Sequence, residues 1–416
     1  MAGDSPERDP GKRLLVLGAG PAQLGLLAAA RARELHVIAV DRDPSAPGFR
    51  YADRRAIVST EDESGIERLA SAERVQGLIA PGIDWPVAIA ARVAERLSLP
   101  HAISPETAAL STSKLRQRER FAEAGVPQPE FQICSGPEEA TAAAERIGFP
   151  CVIKAPDRQG QRGLTLVRSA DEVAEAVRVA LDAARTATLL VEEHVPGLEV
   201  TVNAFSSGGH FHPLTVTDRL TAPLPAFGVA LTHAWPSELE PAQIGAVVEA
   251  AAAAAAAVGI TEGPSYTQVL VGPDGPRVGE LAARLGGGHD AELCRVALGV
   301  DLNGLAISAA LGEEILRHEL APHARVGGAC VRFLVAPPGE LRAVRGLDDA
   351  FAVEGVRGMR VYRRPGHVFG ELRRGPDRAG AILAVGDSAD QALARADKAE
   401  SLIGFETEPV SATLSA

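Results

Sequence analysis

The amino-acid sequence predicts a mixed fold, α/β in its first third and α+β in the remainder. Residues 13–17 form a continuous apolar run that ends in a glycine turn, a helical pattern follows over 23–33, and a second buried run spans 36–40. This order is typical of a βαβ unit in a parallel sheet. Further along, the strand-like residues 266–271 are followed by Gly-Pro-Asp-Gly at 272–275 and by a second strand-like run. A turn of that composition predicts an antiparallel hairpin.

The glycine turn at the end of the first strand raises the question of a dinucleotide site, with Asp41 binding a ribose. Gly18 and Gly20 match the first two glycines of the G-x-G-x-x-G fingerprint, but the next glycine is Gly25, so the match is incomplete. The other interpretation is a tight turn with close helix–strand packing. Asp84 follows a later strand of the same domain. It is expected to cap a helix, with ligand contact as the alternative.

Composition narrows the class of protein. The 416 residues suffice for two or three domains, and 46% of them are hydrophobic. Lys and Arg total 42 against 54 Asp and Glu, a net charge of −12. An acidic chain without a basic block predicts no nucleic-acid or anionic-membrane partner. The alanine run at 250–257 predicts a helix, not a membrane segment. Four scattered cysteines and a polar N-terminus favour a reduced, cytoplasmic protein.

Two stretches in the central part carry candidate nucleotide-binding residues. Lys154 ends a strand pattern and precedes a glycine- and arginine-rich loop at 157–163, which is typical either of a cover over a polyphosphate or of a long surface hairpin. Further on, Glu199 alternates along a strand that follows a Pro-Gly turn. Its carboxylate suits vicinal ribose hydroxyls, and a solvated edge strand is the alternative.

The predicted hairpin at 266–282 carries the third candidate site. Period 2 places Gln268 on one strand and Glu280 on the other, where both could share one ion. Arg284 follows, and then three glycines at 286–288, whose amides a small ligand can approach closely. A carboxylate, an amide oxygen, an arginine and a glycine loop suit a phosphate-bearing ligand. An ordinary hairpin with a solvated glutamate is the alternative.

Taken in order, these pieces resemble the ATP-grasp superfamily over roughly residues 13–405: Lys114; Lys154 with its glycine loop; Glu193-x-x-x-Gly197-x-Glu199; Gln268; and Glu280-x-x-x-Arg284. The resemblance implies a Rossmann-like N-terminal domain over 1–112, a small lid domain over 113–200 and a large antiparallel-sheet domain over 201–416. It also implies ATP and Mg²⁺ as cofactors, and an N-terminal domain that usually binds no dinucleotide.

The resemblance assigns roles residue by residue. Lys114 and Lys154 would contact ATP phosphates, and Gln268 and Glu280 would ligate Mg²⁺. The remaining nucleotide contacts would come from the loop and from the strand that follows it: Gly160, Gln161, Arg162, Gly163, Glu192, Glu193, Val195 and Glu199. The substrate contacts would be Asp218, Arg219, His233, Arg284, Gly286, Gly287 and Gly288. Arg284, Lys154 and His233 are the candidate catalytic residues, and a structural role for His233 is equally open.

Within the superfamily, the Glu-x-Ala-Ala-Arg form looks most like the bacterial L-amino-acid ligases. Many superfamily members have a metal-binding Asn at the position of Ala282, which leaves the number of metal ions open. Relatives in purine biosynthesis usually carry Arg-Pro-His after the metal Glu, whereas this chain has Arg284-Leu285-Gly286. The second hypothesis is therefore a carboxylase-type or purine-biosynthetic enzyme, which would use bicarbonate or formate and a phosphoribosyl amine.

The implied reaction is an ADP-forming ligation of a small carboxylate, such as an amino acid, to an amine through an acyl phosphate. The cations Lys154, Arg284 and Mg²⁺ would neutralise the two anions that meet in the first step. A non-catalytic nucleotide-binding regulator, suggested only by Ala282, and a dehydrogenase are the weaker alternatives. Whether the chain is a monomer or a homodimer stays open, with the C-terminal part as the candidate dimer surface.

Overall fold

The computed structural model describes residues 11–157 and 162–409. Their contacts divide the chain into two compact units built from non-contiguous segments. The first unit contains the segments up to 128, 201–216 and 240–323, and the second contains 129–200, 217–239 and 324 onward. The three-domain division expected from the sequence stays a prediction.

The strands of the described chain are, in order, β1 Arg13–Leu17, β2 His36–Asp41, β3 Arg54–Ile57, β4 Gly77–Ile79, β5 Phe131–Cys134, β6 Cys151–Lys154, β7 Leu164–Val167, β8 Leu189–Glu193, β9 Leu198–Ser207, β10 His210–Thr221, β11 Ala230–Trp235, β12 Gly263–Gly272, β13 Gly275–Ala282, β14 Gly328–Leu334, β15 Gly339–Arg345, β16 Val356–Val361, β17 Val368–Phe369, β18 Gly380–Gly386 and β19 Gly404–Glu408.

The α-helices are α1 Leu24–Ala32, α2 Glu63–Glu73, α3 Trp85–Arg96, α4 Pro105–Ser111, α5 Lys114–Glu123, α6 Pro137–Ile147, α7 Ala170–Ala183, α8 Pro241–Val258, α9 Asp290–Leu298, α10 Leu302–Ala310, α11 Leu347–Phe351 and α12 Ala389–Leu402. Short 3₁₀ turns occur at Pro21–Gln23, Pro47–Tyr51, Arg317–Leu320 and Gly375–Asp377.

The first unit contains the predicted parallel sheet, in the order β3-β2-β1-β4. Residues 14–17 of β1 and 37–40 of β2, its central strands, are apolar and buried, as expected for a parallel sheet covered by helices. The unit also contains the predicted hairpin, β12 and β13, with strand order β13-β12-β9-β10. The alanine-rich helix α8 packs against this hairpin. By length and composition alone, α8 is the one described helix that could cross a membrane, and Ala251, Ala254 and Ala255 of its sequence are buried in the unit's core.

The second unit contains a small antiparallel sheet in the order β5-β8-β6-β7, against which α6 and α7 pack. Alanine and valine side chains of the two helices fill its core with Ile153, Leu189 and Val191 of the sheet. Another antiparallel arrangement runs β10-β11-β14-β18-β16, with α12 packed on β18 and β14. The expected combination of a parallel sheet, a small α+β layer and antiparallel sheet is confirmed.

One sequence expectation is wrong. The apolar pattern of the sequence predicts a strand over 351–362, but the chain forms α11 up to Phe351 and begins β16 only at Val356. Asp348 and Asp349 lie in the first turn of α11, where negative charge favours a helix N-terminus. Gly355, at a φ of 85°, then turns the chain into the strand.

Candidate functional site

Gln268 and Glu280 lie directly opposite each other on β12 and β13. Uninterrupted pairing from the turn, in which Val269 pairs with Val278, would place Gln268 opposite Gly279. The register shifts there by one residue, so Gly279 is an extra, bulged residue and Glu280 moves into register with Gln268. The bulge thus brings together the two predicted metal ligands.

Helix α5 holds the carboxylate strand through side chains. Lys114 Nζ lies 3.0 Å from Glu280 Oε1. The buried Gln117 donates from Nε2 to the carbonyl of Leu281 at 2.8 Å, and its Oε1 accepts from the Leu281 amide at 3.0 Å. β13 is the edge strand of its sheet, so these bonds replace those of a neighbouring strand.

Arg118 completes this attachment at the bulge itself. Its guanidinium, on a side chain that is 2% exposed, donates to the carbonyls of Val278 at 3.1 Å and Gly279 at 2.6 Å. The carbonyls displaced from regular pairing therefore keep a charged partner, which removes the cost of burying them unbonded. The sequence interpretation missed both Gln117 and Arg118. Their only signal was a polar pair in the middle of a helix next to Lys114.

Arg284 forms a buried ion pair with Asp84. Its Nε lies 2.6 Å from Asp84 Oδ1, its Nη1 donates to the carbonyl of Leu285 at 2.8 Å, and its guanidinium carbon lies 5.9 Å from the centre of the Tyr266 ring. Asp84 is the N-cap residue of α3, yet its side chain makes no capping hydrogen bond. The expectation that the Asp84 side chain caps the helix is therefore wrong, because its carboxylate pairs with Arg284 instead.

Electrostatic interactions link Asp84 to three other charged side chains, Arg284, Glu280 and Lys114. Burial raises the pKa of the Asp84 carboxyl, and Arg284 opposes this rise. Glu280 raises the same pKa further, and Lys114 lowers it, so each of these three charges lies within electrostatic range of Asp84. Two carboxylates balanced by two cations leave the cluster close to neutral, with oxygen ligands and cations side by side.

The glycines at 286–288 lie in close-packed surroundings. A Cβ on Gly286 would meet the Asp290 carboxylate and the Tyr266 ring, and one on Gly287 would approach the carbonyl of Gly82 at 3.0 Å. The Gly288 amide donates to Asp290 Oδ2 at 3.1 Å. Close packing therefore accounts for the small residues at 286 and 287, and one of the three expected ligand-binding amides already has an acceptor within the protein.

In the second unit, Lys154 forms a buried ion pair with Glu192. Lys154 Nζ lies 2.6 Å from Glu192 Oε2, and the two side chains are 9% and 6% exposed. Glu193, the next residue, is exposed at the end of β8, and its Oε2 accepts from the Glu130 amide at 3.1 Å. Val195 is half-buried in the turn that follows. The candidate lysine is thus held near the strand predicted to bind adenine.

The predicted phosphate loop is described only in part. Gly160 and Gln161 lie outside the described residues. Arg162 and Gly163 line a cavity of about 650 Å³ together with Phe227 and with Arg373, and this cavity also lies within the second unit. Gly163 has a φ of 69°, and a Cβ there would meet Ala155 and Ala183.

The expected substrate residues of the second unit are mostly held by neighbours. The buried Asp218 accepts from the Ser237 hydroxyl and, at 2.9 Å, from the Glu238 amide, and burial raises its pKa. His233 is buried with its ring edge-on to Phe333 at 5.6 Å between centres. Burial and this ring contact hold the imidazole in place, and its role stays a prediction.

Arg219 and Glu199 form an ion pair. Arg219 Nη1 lies 2.6 Å from Glu199 Oε1, and Nη2 donates to the carbonyl of Gly228 at 2.8 Å. Arg219 is also paired across the β10–β11 register with His233. The structure therefore joins a residue expected to bind substrate to the carboxylate expected to bind ribose.

The side chain of Gln23 packs against the N-terminal glycine turn. The fully buried side chain of Gln23 lies where a Cβ on Gly18 or Gly20 would be, and its Nε2 donates to the carbonyl of Pro81 at 2.7 Å. Asp41 Oδ2 accepts from the Ala19 amide at 2.9 Å. Both features favour the interpretation as a tight, packed turn over a dinucleotide site.

Comparison with known proteins finds similar families and a similar crystal structure. A family model described as "L-amino acid ligase C-terminal domain 2" matches residues 332–408, and one described as "Phosphoribosylglycinamide synthetase, ATP-grasp (A) domain" matches residues 112–220. The crystal structure of an L-amino acid ligase from Bacillus licheniformis matches with a TM-score of 0.83 at 20% identity, covering 96% of this chain and 100% of that one. The chain therefore has the ATP-grasp fold, and its residues 112–220 match an ATP-grasp domain.

Two further relatives of the chain are found by sequence. Uncharacterized protein y4rH of Sinorhizobium fredii is 28% identical over 401 residues, which is 92% of this chain and 80% of that protein. A formate-dependent phosphoribosylglycinamide formyltransferase of Burkholderia pseudomallei is 31% identical over 175 residues, 42% of this chain and 43% of that protein. The predicted ATP-grasp fold and the resemblance to ATP-grasp ligases are confirmed, and the matches include both an L-amino acid ligase and purine enzymes.

Proposed function

We propose that this ATP-grasp protein is an ATP- and Mg²⁺-dependent carboxylate–amine ligase that acts on amino acids or similar small metabolites. The observation that supports it most directly is a cluster of charged and polar side chains in the first unit. In this cluster Gln268 and Glu280 lie opposite each other, and Lys114 forms an ion pair with Glu280. The buried Asp84–Arg284 pair lies within electrostatic range of Glu280 and Lys114 through Asp84. Oxygen ligands beside two cations suit the transfer of a phosphoryl group to an anionic acceptor.

The nucleotide contacts are assigned residue by residue. Lys114 and Lys154 contact its phosphates, Glu193 and the backbone of Val195 meet the adenine, and Glu199 binds the ribose. Arg162 and Gly163 are also assigned to the phosphates, as are Gly160 and Gln161, which lie outside the described residues. Glu192 holds Lys154 by the 2.6 Å ion pair. A lysine anchored by a buried carboxylate is held ready, so little side-chain entropy is lost when a phosphate binds.

The donor set fits Mg²⁺. Within residues 11–157 and 162–409, no three His, Cys, Asp or Glu side chains are grouped to hold a metal, so the protein offers the carboxylate of Glu280 and the amide oxygen of Gln268. Mg²⁺ commonly takes one or two protein oxygens and completes its octahedron with phosphate oxygens and waters. The bound ion supplies charge neutralisation on the phosphates.

The reaction has two balanced steps. A carboxylate oxygen of the first substrate attacks the γ-phosphorus of ATP, the bond to the β,γ-bridging oxygen breaks, and ADP leaves. The amine of the second substrate then attacks the acyl carbon, phosphate leaves with the former carboxylate oxygen, and the amine loses a proton. Arg284 binds the anionic acceptor or the transferred phosphoryl group through two parallel N–H donors. The 286–288 loop, Asp218 and His233 contact the substrates in this assignment.

The amino-acid substrate class is favoured by the match of residues 332–408 to the C-terminal domain of L-amino acid ligases. A second candidate, formate or bicarbonate with a phosphoribosyl amine, is favoured by the 175-residue similarity to the formyltransferase. The two candidates share the ATP and Mg²⁺ roles and differ in both substrates.

The test is phosphate release from ATP and Mg²⁺ across a matrix of carboxylates and amines, with mass detection of products. We expect at least one amino-acid pair to stimulate release and to yield ADP plus a compound of mass acid plus amine minus water. A Lys154→Met variant provides the inactive control. Stimulation only by formate or bicarbonate with a phosphoribosyl amine would establish the second candidate instead.

A further inference from the structure

The guanidinium of Arg219 is anchored at two points inside the second unit. One nitrogen lies 2.6 Å from Glu199 Oε1, and another donates to the carbonyl of Gly228 at 2.8 Å. The Arg219 side chain is only 7% exposed, whereas that of Glu199 is 20% exposed. The arginine is therefore the fixed partner of this pair, and the carboxylate is the end that a ligand can reach.

This pair differs from the solvated ion pairs of the same unit. Arg178 and Glu175, for example, are 61% and 65% exposed and adjacent on one helix. Such surface pairs contribute little, because water competes for both charges. A buried arginine fixed by a carbonyl instead restricts where the carboxylate of Glu199 can point.

Glu199 keeps acceptor capacity while it binds Arg219. A carboxylate has about four lone-pair positions on its two oxygens, and the structure gives Arg219 a bond to Oε1. Oε2 and the remaining positions suit two vicinal hydroxyls. The direction of this second oxygen is set by the bond on the first, since the carboxylate is planar.

We propose that Arg219 is a positioning residue that orients Glu199 toward the ribose hydroxyls, and thereby selects ribonucleotides over 2′-deoxyribonucleotides. The proposal rests on the proposed function, which assigns Glu199 to the ribose. It replaces the sequence-based expectation that Arg219 contacts the substrate, because two of its nitrogens already bind Glu199 and Gly228.

The experiment measures binding of ATP and of 2′-deoxy-ATP to the full-length protein by calorimetry with Mg²⁺, for the wild type, Arg219→Met and Arg219→Lys. We expect Arg219→Met to weaken ATP binding about tenfold and 2′-deoxy-ATP binding only about threefold, since ATP loses hydrogen bonds to both hydroxyls whereas 2′-deoxy-ATP loses only the one to its 3′-hydroxyl. Arg219→Lys keeps the charge without the fork, so it restores ATP binding only in part.

Arg395→Met is the matched control. Arg395 Nη2 lies 2.6 Å from Glu354 Oε1 and its Nη1 donates to the carbonyl of Val385 at 2.8 Å, the same two kinds of bond in the same unit. No nucleotide role is assigned to Glu354. Arg395→Met is expected to leave the ratio of ATP to 2′-deoxy-ATP affinity unchanged.

The outcomes separate the two proposals. A wild-type protein that binds no ATP would contradict the proposed function itself. Wild-type ATP binding with an unchanged affinity ratio in Arg219→Met, or an equal loss of both nucleotides, would overturn the role of Arg219. If Arg219→Met does not fold, Glu199→Gln supplies the same test: the proposal expects it to lower the affinity ratio as well, and an unchanged ratio would contradict it.

Discussion

Asp84 and Arg284 lie 200 positions apart in the chain, and the guanidinium nitrogen of one is 2.6 Å from the carboxylate of the other. The two side chains are 8% and 10% exposed. A buried ion pair of this kind costs desolvation of both charges, so removing one partner leaves the other uncompensated. Asp84 thus fixes the direction of the arginine that the proposed mechanism requires.

Asp84→Asn tests this dependence. Asparagine keeps a hydrogen-bond acceptor but leaves the buried charge of Arg284 unbalanced, so we expect the free energy of unfolding to fall by about 3 kcal/mol. Urea denaturation measures this value. Asp53→Asn is the control: it removes a solvent-exposed pair with Arg31 in the same unit and should cost less than about 1 kcal/mol. Equal costs for the two variants would show that the Asp84 pair is no more important than a surface pair.

Arg284→Lys tests the arginine itself. Lysine keeps the positive charge but lacks the planar, two-point donor geometry. We expect the rate of ADP formation with the active substrate pair to fall about 100-fold, while ATP affinity measured without substrates stays within about twofold. A rate near that of the wild type would remove Arg284 from the mechanism.

Glu280→Gln tests the metal assignment. The substitution keeps size and one oxygen but removes the charge that Mg²⁺ binds, so half-maximal activity should need about 10- to 100-fold more Mg²⁺. Titration of activity against Mg²⁺ gives the value. Asp274→Asn removes an acid from the exposed turn of the same hairpin and should leave the titration unchanged. A normal Mg²⁺ requirement in Glu280→Gln would exclude this residue as a ligand.

Much of the fold follows from local pattern. The βαβ unit and the hairpin turn at 272–275 are readable because apolar periodicity and turn chemistry act over a few residues. The bulge at Gly279 cannot be predicted from local sequence in this way, although it alone places Glu280 opposite Gln268. It depends on bonds from Gln117 and Arg118, more than 150 positions away, which only tertiary packing brings to the strand.

The residues of the candidate site were likewise predictable where a local motif contains them, and not where tertiary packing brings them together. Residue types such as Glu280 and Arg284 were identified because a family motif spaces them along one segment. The partner of Arg284 was not identified, because a lone Asp84 before a helix is equally typical of a cap. Helix α4 was predictable from Ser104, its N-cap residue, and Pro105, its first residue. The sequence interpretation did not include this helix.

Gln117→Leu tests the attachment of the edge strand. Leucine has a similar size but leaves the amide and the carbonyl of Leu281 without their partners in the interior. We expect a loss of about 2–4 kcal/mol in the free energy of unfolding, since each unsatisfied group costs about 1–3 kcal/mol. Chemical denaturation measures it. A loss below about 0.5 kcal/mol would mean that water replaces these bonds.

The four cysteines are expected to be unreactive in the folded protein. All four are buried, and burial raises the pKa of the Cys294 and Cys330 thiols to about 12 and that of Cys134 to about 11. The reactive thiolate then forms only well above neutral pH, whereas an exposed cysteine titrates near 8.5. Thiol titration at pH 8 should label them only after unfolding. Rapid labelling of the native protein would contradict their burial.

The central claim is that a substrate carboxylate becomes an acyl phosphate. Its most direct test uses the active acid with both carboxylate oxygens labelled as ¹⁸O, followed by mass analysis of all products. The account predicts ADP, one ¹⁸O in the released inorganic phosphate and one in the amide product, because a carboxylate oxygen leaves with the phosphoryl group. Label absent from inorganic phosphate, with ¹⁸O appearing in AMP instead, would show an acyl adenylate and contradict the account.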